Sequence, residues 1–146
     1  MTIEKINFQN REKALELVLS VFMQYEAPEY SQQGIKTFKD FINSKELIDG
    51  LEIYGAFKEK EIVGVIATRN DGNHIALFFV NGKFHGQGIG RKLFETIIKE
   101  STEEKITVNS SPYAVEVYKK LGFIPDSDEQ LTDGLRYTPM TYIKQV

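Results

Sequence analysis

Ile75-Ala76-Leu77-Phe78-Phe79-Val80 is followed, four residues later, by His85-Gly86-Gln87-Gly88-Ile89-Gly90, and the rest of the chain can be read outward from these two runs. The first is apolar without alternation, as expected of a central strand covered on both faces. From Ile89 the apolar residues Leu93, Phe94, Ile97 and Ile98 recur at three- and four-residue spacing, which predicts a helix from about Gly88 to Ser101. A glycine loop at a helix start presents unpaired N–H groups and the positive end of the helix dipole, and glycine lets a bulky anion such as phosphate approach that backbone. The plainer alternative is a tight strand-to-helix turn, with glycine as loop punctuation. Arg91 and Lys92 oppose the dipole unless an anion sits nearby, although a solvated basic face reads the same way. The loop is not a dinucleotide fingerprint, which needs glycine where Arg91 stands, and it is not a Walker loop, which needs Gly-Lys there.

Upstream, Ala14, Leu15, Val18, Val21, Phe22 and Tyr25 mark an amphipathic helix from Arg11 to Tyr25, which Pro28 ends. Ile35, Phe38, Phe41 and Ile42 predict a second helix after Gly34. Thr2 to Phe8 suits a short first strand. Leu51 to Phe57 and Ile62 to Thr68, joined by Lys58-Glu59-Lys60-Glu61, read as a β-hairpin, and Asn70-Asp71-Gly72-Asn73 supplies the next turn. Downstream come a β-branched strand at Ile106-Thr107-Val108 and a helix from Pro112, with Ala114, Val115, Tyr118 and Leu121 on its inner face and Gly122 at its end. A strand begins at Phe123-Ile124, and a last one runs from about Tyr137 to Ile143 after a polar loop. The fold class expected is mixed α/β (α+β), with a largely antiparallel central sheet of six to seven strands flanked by about four helices.

At 146 residues the chain matches one ordinary domain, so residues 1–146 are expected to form a single domain. A formal net charge of -3 argues against a nucleic-acid binder working by general attraction to phosphates. The chain has no cysteine, which excludes disulfides, thiolate metal sites and an acyl-cysteine mechanism. Met1 to Phe8 lacks the apolar core of a signal peptide, and no stretch approaches the roughly 18 apolar residues of a membrane span. A cytoplasmic location without membrane partners is the expectation, and no metal site is foreseen.

With the strand ending at Val80, the loop from His85, and the later Ala114-Val115-Glu116-Val117-Tyr118-Lys119-Lys120-Leu121-Gly122-Phe123, the sequence resembles the GNAT superfamily of N-acetyltransferases. That family's loop signature, Q/R-x-x-G-x-G/A, maps onto His85, Gly88 and Gly90, with the strand valine at Val80. Its second signature, alanine four residues before tyrosine and then Leu-Gly-Phe, maps onto Ala114, Tyr118 and Leu121 to Phe123. His85 departs from the usual glutamine or arginine. Asn109 is the candidate for an asparagine that often precedes the second helix, one residue type matched at a longer spacing than is common.

The resemblance implies the acetyl-CoA fold and chemistry: acetyl transfer to a primary amine of a small molecule or peptide, by direct attack in a ternary complex. It implies that backbone groups of Phe78, Phe79 and Val80 hold the pantetheine arm, and that His85, Gly86, Gln87, Gly88, Ile89, Gly90 and Arg91 surround the pyrophosphate. Tyr118 matches the family's acid, which protonates the departing thiolate; the alternative is that it only packs with Ala114 and Leu121. An alkyl amine must lose a proton before it attacks. The base of several family members falls at His74, whose strand parity matches Ala76 and Phe78; a surface histidine, or a water relay to Glu26, Glu29 or Glu52, are the alternatives. Tyr25, Glu26 and Tyr30 form an expected acceptor wall of aromatic faces and carboxylate suited to an amine. The resemblance also implies a homodimer. The rival function is a non-catalytic acyl-CoA sensor or interaction module.

Overall fold

The structure is a computed structural model in which residues 1–144 are described. Its strands are β1 (Thr2–Lys5), β2 (Glu52–Lys58), β3 (Glu61–Arg69), β4 (His74–Val80), β5 (Lys105–Ser110), β6 (Ile124–Pro125), β7 (Gln130–Thr132) and β8 (Leu135–Ile143). Its α-helices are α1 (Arg11–Val21), α2 (Gln32–Ile42), α3 (Lys45–Asp49), α4 (Ile89–Glu100) and α5 (Val115–Leu121). The sheet runs β1-β2-β3-β4-β5-β8-β6, with β7 paired to β8, and every pairing is antiparallel except β4 with β5. The mixed, mostly antiparallel sheet expected from the sequence is therefore present. It exceeds the expected six to seven strands by β7, which forms inside the polar loop. A fifth helix, α3, is added by one short turn that Ser44 caps through Leu47 N–H. None of the described helices is long and apolar enough to cross a membrane.

The two faces of the sheet are covered by different helices. Ile89, Leu93, Phe94 and Ile97 of α4 pack with Val63 and Ile66 of β3, and Tyr118 and Phe123 join the same cluster. On the other face Ala14, Val18 and Phe22 pack with Val65, Ala67, Leu77 and Phe79. Fully burying one such side chain stabilises by about 2 kcal/mol, so each face contributes enough to hold its helices in place. The non-alternating β4 follows from this sandwiching, because Leu77 and Phe79 face α1 while Phe78 and Val80 face α4.

Two local irregularities shape the site. The α1 helix widens at its end into a five-residue turn, Phe22–Glu26, where Ala27 N–H donates to Phe22 carbonyl across five residues. Such widened turns add a residue to the helix and redirect the side chains on it. Pro28 in the next turn prevents α-helix from resuming. In β4, Ala76 has no partner on β3: Ala67 pairs with Leu77 and Thr68 with Ile75. This bulge bends the strand where β5 leaves it. β4 and β5 pair only at His74 with Thr107 and Ile75 with Val108, while β5 continues alongside β8 to Ser110. The sheet is thus split open from Ala76 to Val80.

Candidate active site

The loop side of the split is built from backbone. Gly88 precedes α4 at φ 81° and makes no side-chain cap, and Gly86 also lies at positive φ, 79°. Only glycine adopts these angles freely, and a Cβ built at either position meets nothing within 4 Å, so the cradle is open rather than packed. The first N–H groups of α4 thus face an open concavity, which suits a phosphate group. Lys58 Nζ donates to Gln87 Oε1 at 2.8 Å and lies 5.0 Å from the Phe84 ring centre, adding a cation beside the loop that sequence spacing did not reveal. Arg91 donates to the Lys120 carbonyl at 3.2 Å, tying the start of α4 to the end of α5.

His85 turns back onto the strand. Its Nε2 lies 2.8 Å from the Val80 carbonyl, which can only accept, so Nε2 carries the proton. The His85 ring packs on Tyr25 at 5.1 Å, and Tyr25 stacks on Tyr113 at 5.5 Å. This aromatic roof requires Gly82, where a Cβ would collide with the Tyr25 hydroxyl. Beneath it lies a cavity of about 270 Å³, lined by Phe78, Phe79, Val80, His85, Gly86, Gly88 and Gly90, and by Tyr113 and Tyr118 of the facing helix region.

A second cavity, of about 380 Å³, opens on the other side of the split. Its walls bring together Tyr30, Phe38, Arg69, His74, Asn109, Ser111 and the start of β8. Glu26, Phe78, Phe79, Ala114 and Tyr118 line both cavities, so the two spaces meet there. Tyr118 is buried at 6% exposure, packs edge-on to Phe78 at 5.8 Å, and has no hydrogen bond to its hydroxyl among the described residues. Burial, and then the charge of Glu26, push its hydroxyl far above the ordinary tyrosine range, so it stays protonated.

Glu26 sits on the widened turn that ends α1. Burial raises its carboxyl from 4.5 to about 7, Ser111 offsets part of the rise, and the neighbouring Glu29 charge adds to it. Ser111 Oγ is buried and makes no hydrogen bond of good geometry among the described residues, although it faces Glu26 and Tyr30 closely enough to stabilise their ionised forms. Tyr30 donates to the Arg136 carbonyl at 3.3 Å, which anchors this wall of the second cavity to β8. Ser111 was missed from sequence: a serine before Pro112 reads as an ordinary helix cap, and only the structure shows that its side chain caps nothing.

His74 lines the second cavity but not the loop-side one. The bulge at Ala76 undoes the parity expected for this strand: Ile75 packs in the same cluster as Phe78, which puts His74 on the opposite face. Its Nδ1 is 2.8 Å from Thr107 Oγ1, and Thr107 donates its own proton to the Asn73 carbonyl at 3.3 Å. The histidine therefore carries its proton on Nδ1 and presents Nε2 bare. Burial and the nearby Arg69 charge lower it to about 4, so it is neutral across the working range of pH. Asn109 lines the second cavity and not the loop-side one. Tyr25 is part of the roof over the loop side rather than of the second cavity's wall. Among the described residues there is no cluster of side chains suited to a metal.

Comparison with known proteins agrees with this fold. The model of the acetyltransferase (GNAT) domain family matches residues 26–144. The uncharacterized N-acetyltransferase ycf52 of Gracilaria tenuistipitata var. liui is 35% identical over 81 residues, 51% of this chain and 44% of that relative, so the match spans less than half of the relative's length. Among solved structures, a GCN5-related N-acetyltransferase from Rhodopseudomonas palustris superposes with a TM-score of 0.84 at 18% identity, covering 98% of this chain and 95% of that one. The PaiA N-acetyltransferase of Thermoplasma acidophilum, solved in complex with coenzyme A, superposes with a TM-score of 0.74 at 20% identity, covering 99% and 100%. These likenesses establish the fold, and with the matched family model the chain belongs to the GNAT acetyltransferase family, whose members use acetyl-CoA.

Proposed function

We propose that the protein binds acetyl-CoA along the loop side of the split and transfers the acetyl group to a primary amine of a small molecule or peptide held in the second cavity, both being bound at once. The observation that carries this reading is the meeting of the two cavities at Glu26 and Tyr118. Acetyl-CoA supplies an acetyl group activated as a thioester. The open cradle at Gly86 and Gly88, with the first N–H groups of α4, fits its pyrophosphate, and Arg91 stands in the same helical turn. The unpaired edge of β4 from Phe78 to Val80 fits the pantetheine arm. A backbone N–H aimed at the acetyl oxygen stabilises the charge that develops there by about 3 kcal/mol.

In this reading Glu26 takes the proton from the attacking amine, and Tyr118 gives its proton to the departing sulfur. Both are then restored by exchange with water. Glu26 is preferred to His74 as the base for two reasons. It stands at the junction, and a carboxyl raised to about 7 is half ionised near neutral pH yet basic enough to accept a proton. His74, at about 4, is a poorer acceptor and sits on the other side of the bulge. Its bare Nε2 is left as a hydrogen-bond acceptor in the acceptor cavity.

Release of free CoA from acetyl-CoA, measured across polyamines, amino acids, aminoglycosides and peptides, tests the reading. At least one amine class should give turnover that depends on acceptor concentration. Tight CoA binding without acetylation of any of them would instead favour an acyl-CoA sensor.

A further inference from the structure

We infer that Arg69 forms an anion subsite in the second cavity, and that the acceptor is a primary amine which itself carries a carboxylate. This rests on the acetyltransferase reading and names the class of its acceptor. The first observation is an unspent guanidinium. Arg11 pairs with Asp49, Arg91 donates to the Lys120 carbonyl, and Arg136 holds both oxygens of Glu129 at 3.0 and 3.2 Å. Arg69, an exposed residue at the end of β3, makes no ion pair or hydrogen bond among the described residues, and it lines the rim of the acceptor cavity. A guanidinium presents a planar fork of donors that matches a carboxylate, and on a cavity wall it is the natural seat for one.

The second observation is polarity along the cavity. The junction end holds the Glu26 carboxyl and Ser111, a residue 8% exposed whose Oγ has no partner of good geometry among the described residues, and together they suit an amine. The other end holds Arg69 opposite His74 on paired strands. Three residues of β4 separate His74 from Phe78, a span of at most roughly 13 Å that the bulge at Ala76 shortens, and an arginine side chain is long enough to cover part of it. A molecule with an amine at one end and a carboxylate at the other fits this arrangement. Asp133 is the other carboxylate on the wall, in the turn whose carbonyl accepts from Thr37. A polyamine could use Asp133, but it would bring a second cation toward Arg69, so the unpaired arginine disfavours it.

The test compares ω-amino acids of increasing length, from glycine to 6-aminohexanoate, with the amide of each acid, matched alkylamines and diamines, and a dipeptide arm separates free amino acids from peptide carboxylates. CoA release is read as kcat/KM. At the best length the acid should exceed its amide by about 10- to 100-fold, the difference made by a charge-assisted hydrogen bond. In Arg69→Gln that ratio should collapse toward one, with CoA affinity and the circular dichroism spectrum reporting that the variant is folded. Equal rates for acids and amides, preference for diamines, or an unchanged ratio in Arg69→Gln would overturn the subsite while leaving the acetyltransferase reading intact. Release from no amine at all would remove that reading, and the subsite with it.

Discussion

The two halves of the site are made of different material. The loop side is mostly backbone from one continuous stretch, Phe78 to Gly90, with α5 closing it, and its key conformations are imposed by glycines at positive φ. The proposed acceptor side is mostly side chains, brought from the end of α1, from α2, from the facing ends of β3 and β4, from the end of β5 and from β8. A ligand with a fixed phosphate chain can be gripped by backbone, which any sequence with glycines in the right places provides. An acceptor must be distinguished by charge and shape, which needs side chains whose identity is free to differ. Where the halves meet, Glu26 and Tyr118 belong to both.

This contrast can be broken at several points. The largest effect should come from Tyr118→Phe, which removes the proposed proton donor and leaves no buried group unpaired: kcat should fall about 10²- to 10⁴-fold while CoA affinity measured by calorimetry is kept. Unaltered turnover would reduce Tyr118 to a packing residue. Next, Glu26→Gln should raise stability at pH 8. A carboxyl whose pKa is raised on folding loses stability as pH climbs from its ordinary 4.5 through about 7, a rise worth about 3 kcal/mol at most. The variant should therefore melt higher than the parent at pH 8, and the two should converge near pH 4. Coincident melting at both values would mean that Glu26 is well solvated.

On the loop side, Gly88→Ala should cost about 1–2 kcal/mol through its positive φ and weaken CoA binding by filling the cradle. Gly90→Ala is the matched control. Its Cβ would stand 3.5 Å from Phe78 Cζ, an ordinary contact, and its backbone is helical, so stability should be kept or rise by up to about 1 kcal/mol. Equal losses at both positions would show that the loop reads volume rather than conformation. The smallest effect expected is that of Arg91→Ala, which removes the link to the Lys120 carbonyl at the end of α5 and should cost under about 1 kcal/mol in chemical denaturation.

The same contrast explains what could be read from the chain. The order of helices and strands and the glycine loop were legible because each is a local pattern of apolar spacing or glycine punctuation, and Tyr118 was singled out by the family resemblance that the run Ala114 to Phe123 carries. The acceptor side was legible only in part. Glu26 and Tyr30 were found near one another in sequence, but Ser111 and Arg69 join them through the sheet, and no local spacing encodes that. Two irregularities account for specific departures. The bulge at Ala76 shifts the parity on which His74 was aligned with Phe78, and a single unpaired residue leaves no mark in an apolar run. The widened turn at Phe22–Glu26 redirects the end of α1, so that Tyr25 covers the loop side while Glu26 reaches the junction. β7 was hidden because its residues, Gln130 to Thr132, are polar and exposed, and only pairing with β8 makes them a strand.

Glu26, which faces Ser111, Tyr30, Glu29 and Tyr118, is the proposed acceptor of the proton at the junction. The deciding measurement is kcat/KM for the best amine as a function of pH, in the parent protein and in Glu26→Gln. The parent should show activity rising with pH through an inflection near 7, as the carboxyl ionises, and the variant should lack that inflection and be slower throughout. An inflection near 7 that persists in Glu26→Gln would contradict the assignment and move the base elsewhere in the cavity.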